Sequence, residues 1–273
     1  NLHPENVVTY ELRGTATSLE EASREVASCG GSVDLSQMRD KEYASFDALQ
    51  ASLLNCHKQR PKVTFHHLPI ATLRAFTGNT RSVAETLHPL REAGLRSVSA
   101  NFNPIQISAA STADLVALLR AAAQCDLFVS ISITIGNSES LEQRVNTIAM
   151  VRTLQQESNA IHAALLRVHH AATAEARREE EATAVDYLKT LAVTRLFLDN
   201  VEHLQTDWSV MGPKVLELAL HFGADDAGSV PSSQAGSPEP SHHGGQSELR
   251  RIIRDAGFRP VERDALFHQS LLR

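Results

Sequence analysis

Thirteen histidines are the residues best suited to chemistry in this 273-residue chain, because imidazole nitrogens are common ligands of zinc and related divalent metals. Two adjacent pairs, His66-His67 and His169-His170, end segments rich in β-branched and apolar residues, and strand C-termini are where barrel enzymes place their chemistry. His67 and His169 are therefore the candidate metal ligands, for a divalent-metal hydrolase. Adjacent residues on a strand point to opposite faces, so at most one histidine of each pair is expected to face a barrel axis. No HxH, HExxH or matching carboxylate completes a set, which leaves core and surface histidines as the simpler reading. His242-His243 lies in a Ser/Pro/Gly stretch and is expected at the surface. Cys29, Cys56 and Cys125 are far apart and odd in number; they fit neither a disulfide framework nor a CxxC zinc site, and read as reduced, buried thiols. Glu139 and Glu142 open a helix, where its dipole favours carboxylates, and Arg144 can pair with either. No GxSxG elbow supports nucleophilic hydrolysis.

The elements that must position these residues alternate as βαβα. Strands are expected at 6–12, 32–35, 62–68, 97–102, 127–135 and 161–168, the fifth a nearly continuous apolar run of the kind buried on both faces. Helices are expected at 18–28, where Ser18 and Glu21 form a capping box, and at 45–56, 83–93, 112–124 and 141–156. The helical remainder runs over 182–198, 212–222 and 248–256. This alternation allows an open doubly wound sheet or a (β/α)8 barrel. No GxGxxG or GxxxxGK follows a strand, which removes the usual support for a nucleotide-binding open sheet and favours a parallel TIM-type barrel, complete or opened at one edge. The expected organisation is a barrel over 1–230, a Ser/Pro/Gly/His loop over 231–246, and a C-terminal helix and strand packing on the barrel over 247–273.

Composition sets further limits. Hydrophobic residues make up 42% and charged residues 21%, as in folded globular proteins. A net charge of -6 supplies no basic field for phosphates, so no nucleic-acid partner is expected. The longest apolar runs fall short of the ~18 residues that a membrane helix needs, and no charged-then-apolar signal opens the chain, which points to the cytoplasm. The run from Arg177 to Glu181 reads as a solvated helix start.

The stretch from Tyr187 to Val230, YLKTLAVTRLFLDNVEHLQTDWSVMGPKVLELALHFGADDAGSV, resembles the end of the menaquinone-pathway radical SAM enzymes, the futalosine-route family of dehypoxanthine futalosine cyclase and aminofutalosine synthase. SELRRIIRDAGFRPVERDALF (Ser247 to Phe267) is similar to that family's final helix and strand, IGNSESLEQRV (Ile135 to Val145) to a G-H-x-E-x-x-E-x-R-V segment, LREAGLRSV (Leu90 to Val98) to a helix–strand junction, and HPENVVTY (His3 to Tyr10) to its first strand. The resemblance implies a radical SAM barrel. It also implies a [4Fe–4S] cluster held by a CxxxCxxC loop directly after the first strand, yet this chain passes from Glu11-Leu12-Arg13-Gly14 straight to Thr15-Ala16-Thr17-Ser18-Leu19-Glu20-Glu21. Asp34-Leu35-Ser36-Gln37 stands where the family has a Gly-Gly pair, Ala100-Asn101-Phe102-Asn103-Pro104 where it has a glycine-rich turn, Asn137 where it has a histidine, and Val168-His169-His170-Ala171 where it has a proline-rich turn. Close backbone approach to a ligand needs glycine. The iron–sulfur and S-adenosylmethionine sites are therefore expected to be lost, with no cofactor in their place.

In the family the C-terminal lobe closes the substrate side of the barrel, so the resemblance implies a remnant pocket for a nucleoside-like small molecule. Its candidate residues are Trp208, a rigid face for stacking, and Asp225, Asp226 and Gly228, acceptors for ribose hydroxyls in a glycine-flanked turn. Three functions compete: a non-catalytic subunit, regulator or ligand carrier of menaquinone synthesis; an enzyme with repurposed, non-radical chemistry, metal-dependent or not, at the barrel mouth; and an inert relic. The partner expected of the first is a second copy, or a cluster-bearing radical SAM homologue.

Overall fold

A computed structural model describes residues 6–13, 18–26, 32–37, 45–77, 82–103, 112–136, 138–169, 182–206, 208–231 and 245–269. In chain order the elements are β1 (Val7–Arg13), α1 (Leu19–Val26), β2 (Ser32–Asp34), α2 (Phe46–Gln59), β3 (Thr64–His66), β4 (Leu68–Pro69), α3 (Ile70–Thr77), α4 (Val83–Glu92), β5 (Ser97–Phe102), α5 (Thr112–Gln124), β6 (Phe128–Ile135), α6 (Leu141–Ser158), β7 (Ile161–Val168), α7 (Ala184–Phe197), β8 (His203–Thr206), α8 (Trp208–Met211), α9 (Pro213–His221), β9 (Asp226–Pro231), α10 (Gln246–Asp255) and β10 (Arg259–Arg263). Helix starts follow local chemistry: Ser82 with Glu85, and Ser140 with Gln143, form reciprocal capping boxes, and Ser45 and Thr183 cap α2 and α7, each satisfying amide groups that the first turn leaves without a partner. Ser18 accepts from the Glu21 amide as its spacing predicts, at 3.4 Å.

The strands pair in parallel along the path β3-β2-β1-β9-β8-β7-β6-β5-β4, the fold class expected of the sequence. The two ends of that path, β3 and β4, are separated only by His67, so the sheet curls until its ends meet. Phe65 of β3 also exchanges backbone hydrogen bonds with Gly94 and Arg96, just ahead of β5. One edge of β1 is shared. β2 meets it only at Arg13↔Ser32, whereas β10 pairs with Val7 to Glu11.

β6 alternates rather than being buried on both faces. Val129, Ile131, Ile133 and Ile135 are buried in the core shared with the helices, while Phe128, Ser130, Ser132 and Thr134 are half-buried on the inner face. The serines and threonine interrupting the apolar run carry that period of two. β8 and β9 were not foreseen as strands, because HLQT and DAGSVP are short and poor in β-branched residues.

At the base of the inner face, β1, β9 and β10 are tied by charge. The Arg263 guanidinium donates to both oxygens of Asp226, at 2.5 and 2.9 Å, and reaches Glu11 at 3.4 Å. Thr9 donates to Asp226 at 2.6 Å and Ser32 to Glu11 at 2.7 Å. All three charged groups are buried. Phe267 lies beneath this cluster, with the Arg263 guanidinium over its ring, and stacks on Phe128 and His203. Removing one partner of a buried pair strands the other charge, at a cost of about 3–5 kcal/mol. Arg263→Met is expected to lower unfolding free energy by that amount in urea titrations, and Arg263→Met with Asp226→Asn by clearly less.

Candidate functional site

Above this base the inner face is small and polar. β5 contributes Ser97, Ser99 and Asn101, alternating with the buried, outward Val98, Ala100 and Phe102. In register, β6 contributes Ser130 and Ser132, and β7 adds Ala163, Leu165 and, opposite Thr134, Arg167. Barrel interiors are normally filled by layers of Val, Ile and Leu, and this face carries serine, threonine and asparagine instead. Near the C-terminal end, Ser132 and Thr134 both donate to Asn101 Oδ1, at 3.1 and 3.0 Å. That fixes the amide with its NH2 group turned away from these hydroxyls, and Asn101 is exposed. Ala100 to Phe102 complete the strand that the sequence predicts over 97–102.

Both histidines of the first pair face this interior, correcting the expectation of one. His67 takes a left-handed conformation, φ 59°, which inserts an extra inward residue between Phe65 and Leu68, both buried outward. His66 contacts Thr64 at 2.9 Å and Ser97 at 3.4 Å, and His67 Nδ1 contacts Ser130 at 3.1 Å. His67 and His169 do not come together. His67 sits level with Ser130, whereas the His169 amide donates to the carbonyl of Ile135, five residues further along β6 and so roughly 16 Å away at 3.3 Å per residue. Among the described residues no three His, Cys, Asp or Glu side chains group as metal ligands do. His170, Asn137 and His242-His243 lie outside the described residues.

Trp208, Asp225, Asp226 and Gly228 are spent inside the fold. The Trp208 side chain is 2% exposed and donates to the Ser229 carbonyl at 3.3 Å. Asp226 accepts from Arg263, from Thr9 and from the Gly228 amide at 2.8 Å. Gly228 holds φ 89°, and a Cβ there would stand 2.8 Å from the Thr206 carbonyl oxygen. Asp225 points elsewhere, accepting from Arg195, from the Leu204 amide at 2.6 Å and from His203 at 2.7 Å. Both carboxylates are thus engaged by the protein's own donors. Glu139 pairs with Arg144 at 2.6 Å and accepts from the Gly136 amide, while Arg144 reaches Thr190 of α7; the pair joins two helices.

Among the described residues no three thiols come together. β1 leads into α1 through residues 14–18, Gly-Thr-Ala-Thr-Ser, without a thiol. Cys56 and Cys125 are buried in the hydrophobic core on α2 and just after α5, and burial raises the Cys125 thiol above its ordinary value, away from the thiolate that binds metal. Cys29 lies outside the described residues.

Residues 172–271 match the family described as the CofH/MqnC C-terminal region. The chain is 26% identical over 252 residues to cyclic dehypoxanthine futalosine synthase of Halalkalibacterium halodurans, covering 88% of this chain and 68% of that protein. It is 34% identical over 143 residues to aminodeoxyfutalosine synthase of Thermus thermophilus, covering 49% of this chain and 38% of that protein. In fold it is similar to methylornithine synthase, with a TM-score of 0.63, 13% identity and coverage of 94% and 85%, and to the FeFe-hydrogenase maturase HydG from Carboxydothermus hydrogenoformans, with 0.64, 12%, and 97% and 71%. The chain is thus related to the futalosine-pathway radical SAM family, with an α/β fold of the radical SAM barrel type.

Burial pushes the Asp225 carboxyl up, but the hydrogen bond from His203 and the charge of Arg195 outweigh it and hold the group below the ordinary carboxylate range. Its contribution to stability is therefore present above about pH 4 and lost as pH falls through the lowered value. Asp225→Asn is expected to melt lower than wild type at pH 7, with the gap closing below about pH 4 in thermal scans.

Proposed function

We propose that this protein is a non-radical relative of the futalosine-pathway radical SAM enzymes that binds a small polar molecule inside its sheet, serving that route as a ligand carrier, regulator or non-catalytic subunit. The observation that carries the reading is the inner face itself: Ser99, Asn101, Ser130, Ser132 and Thr134 stand accessible where a mere scaffold would pack branched apolar side chains. A thiol-free connection after β1 supports the non-radical part, because reductive cleavage of S-adenosylmethionine needs a cluster with an open iron site. The names of the relatives suggest the ligand class, a futalosine-type compound. Its recognition would fall to the hydroxyls and amide of β5 and β6, not to the aspartates of the C-terminal lobe.

Anaerobic reconstitution with iron and sulfide is expected to leave the folded protein without a cluster, judged by bound iron, acid-labile sulfide and visible absorbance. Calorimetric titration with aminodeoxyfutalosine and with cyclic dehypoxanthine futalosine is expected to saturate for at least one of them, and Asn101→Ala to weaken it about tenfold. Near-stoichiometric iron and sulfide would refute the non-radical reading, and flat titrations with both compounds would refute the binding one.

A further inference from the structure

We propose that the outer face of α6, α7 and α9 is a docking surface for a second copy of this chain, an inference independent of how the inner face is read. Every large apolar side chain that stands exposed among the described residues belongs to one of these helices or caps α9, and α7 packs between the other two. Val193 and Leu196 on α7, and Leu218 and Phe222 at the end of α9, lie three or four residues apart, as side chains on one helix face do. Leu141 and Val145 repeat that spacing on α6. Leu196 is 78% and Leu141 73% exposed. The opposite sides of the same helices, with Val151, Leu191 and Leu216, line the core. A helix that is apolar on two sides calls for cover on both, and exposed apolar residues of no consequence scatter singly over a surface instead of gathering on three neighbouring helices.

Charge and size select a second copy as the occupant. Glu142, Lys189, Lys214 and Glu217 are exposed on the same three helices, two of each sign, and none forms an ion pair with another described residue. A face carrying both signs equally is complementary to itself about a two-fold axis, which lets a lysine of each copy meet a glutamate of the other. It offers no net field to a strongly acidic or basic partner. The lysine stems add apolar surface of their own. The three helices have 18, 14 and 9 residues; at ~1.5 Å per residue and ~10 Å across each, they cover roughly 600 Å². Two copies would then bury about 1,200 Å² in all, the lower limit of specific, stable interfaces. A reversible dimer with a Kd in the micromolar range is the state this predicts.

The test is sedimentation velocity of the full chain from about 1 to about 200 µM. Wild type is expected to pass from monomer to dimer over this range, and Leu196→Glu with Leu218→Glu to weaken association at least tenfold. Both positions are on the surface, so at low concentration the double variant is expected to melt within about 2 °C of wild type. A carbodiimide, which joins a lysine directly to a carboxylate in contact with it, is then applied to a mixture of isotopically light and heavy wild type. Mixed-mass peptides are expected to link Lys189 or Lys214 of one copy to Glu142 or Glu217 of the other. This second measurement needs no substitution, so a variant that fails to fold leaves the proposal open to refutation. A wild type that stays monomeric throughout would overturn it, even one that pairs with a different protein. Association undiminished in the double variant, or mixed-mass links confined to other faces, would overturn it as well.

Discussion

The buried pairing of Arg263 with Asp226 is the interaction on which the rest depends. It joins β10 to β9 and, through Thr9 and Glu11, both to β1, at the edge where β2 touches β1 only at Arg13. The charges are compensated rather than solvated, so the pair specifies one arrangement of three strands more than it adds net stability. Phe267, stacked beneath between Phe128 and His203, closes the base with aromatic surface.

The alternation of strands and helices was legible because β5, α5 and β7 carry clean periods, and their limits match the sequence expectation residue for residue. β8 and β9 were not. Their inward positions are polar and their outward ones few, so HLQT and DAGSVP lack an apolar repeat. The internal partners of the candidate aspartates were hidden for a related reason. Asp225 and Asp226 looked available because acidic residues between glycines suggest a solvent turn, and only the fold reveals Arg195, His203 and Arg263 around them. The polar inner face was legible only as the period-two series Ser97-Ser99-Asn101 and Ser130-Ser132-Thr134, inside segments read simply as strands. No local pattern announces the left-handed backbone of His67, since it is held by serines thirty or more residues away.

The kinship with futalosine-pathway enzymes and the absence of a cysteine loop after β1 are compatible once the fold is seen as two separable halves of a job. The base, with its ion pair and stacked rings, ties β1, β9 and β10 and reaches β6 and β8. The connection after β1 and the serine-lined wall lie apart from that base. Sheet architectures of this kind host many chemistries for that reason.

The pairing of β1 with β10 also governs the order in which the chain can fold. Glu11 and Arg263 are separated by 252 residues, and Asn6 bonds to Gly257 across 251. Contacts of such sequence separation form late, after most of the loop-closure entropy has been lost. During synthesis β1 must wait with one edge bare until the final strand leaves the ribosome, and bare edges invite pairing with other chains. Nascent chains stalled before β10 are thus the state most in need of chaperones, and a truncation there would harm solubility out of proportion to its length.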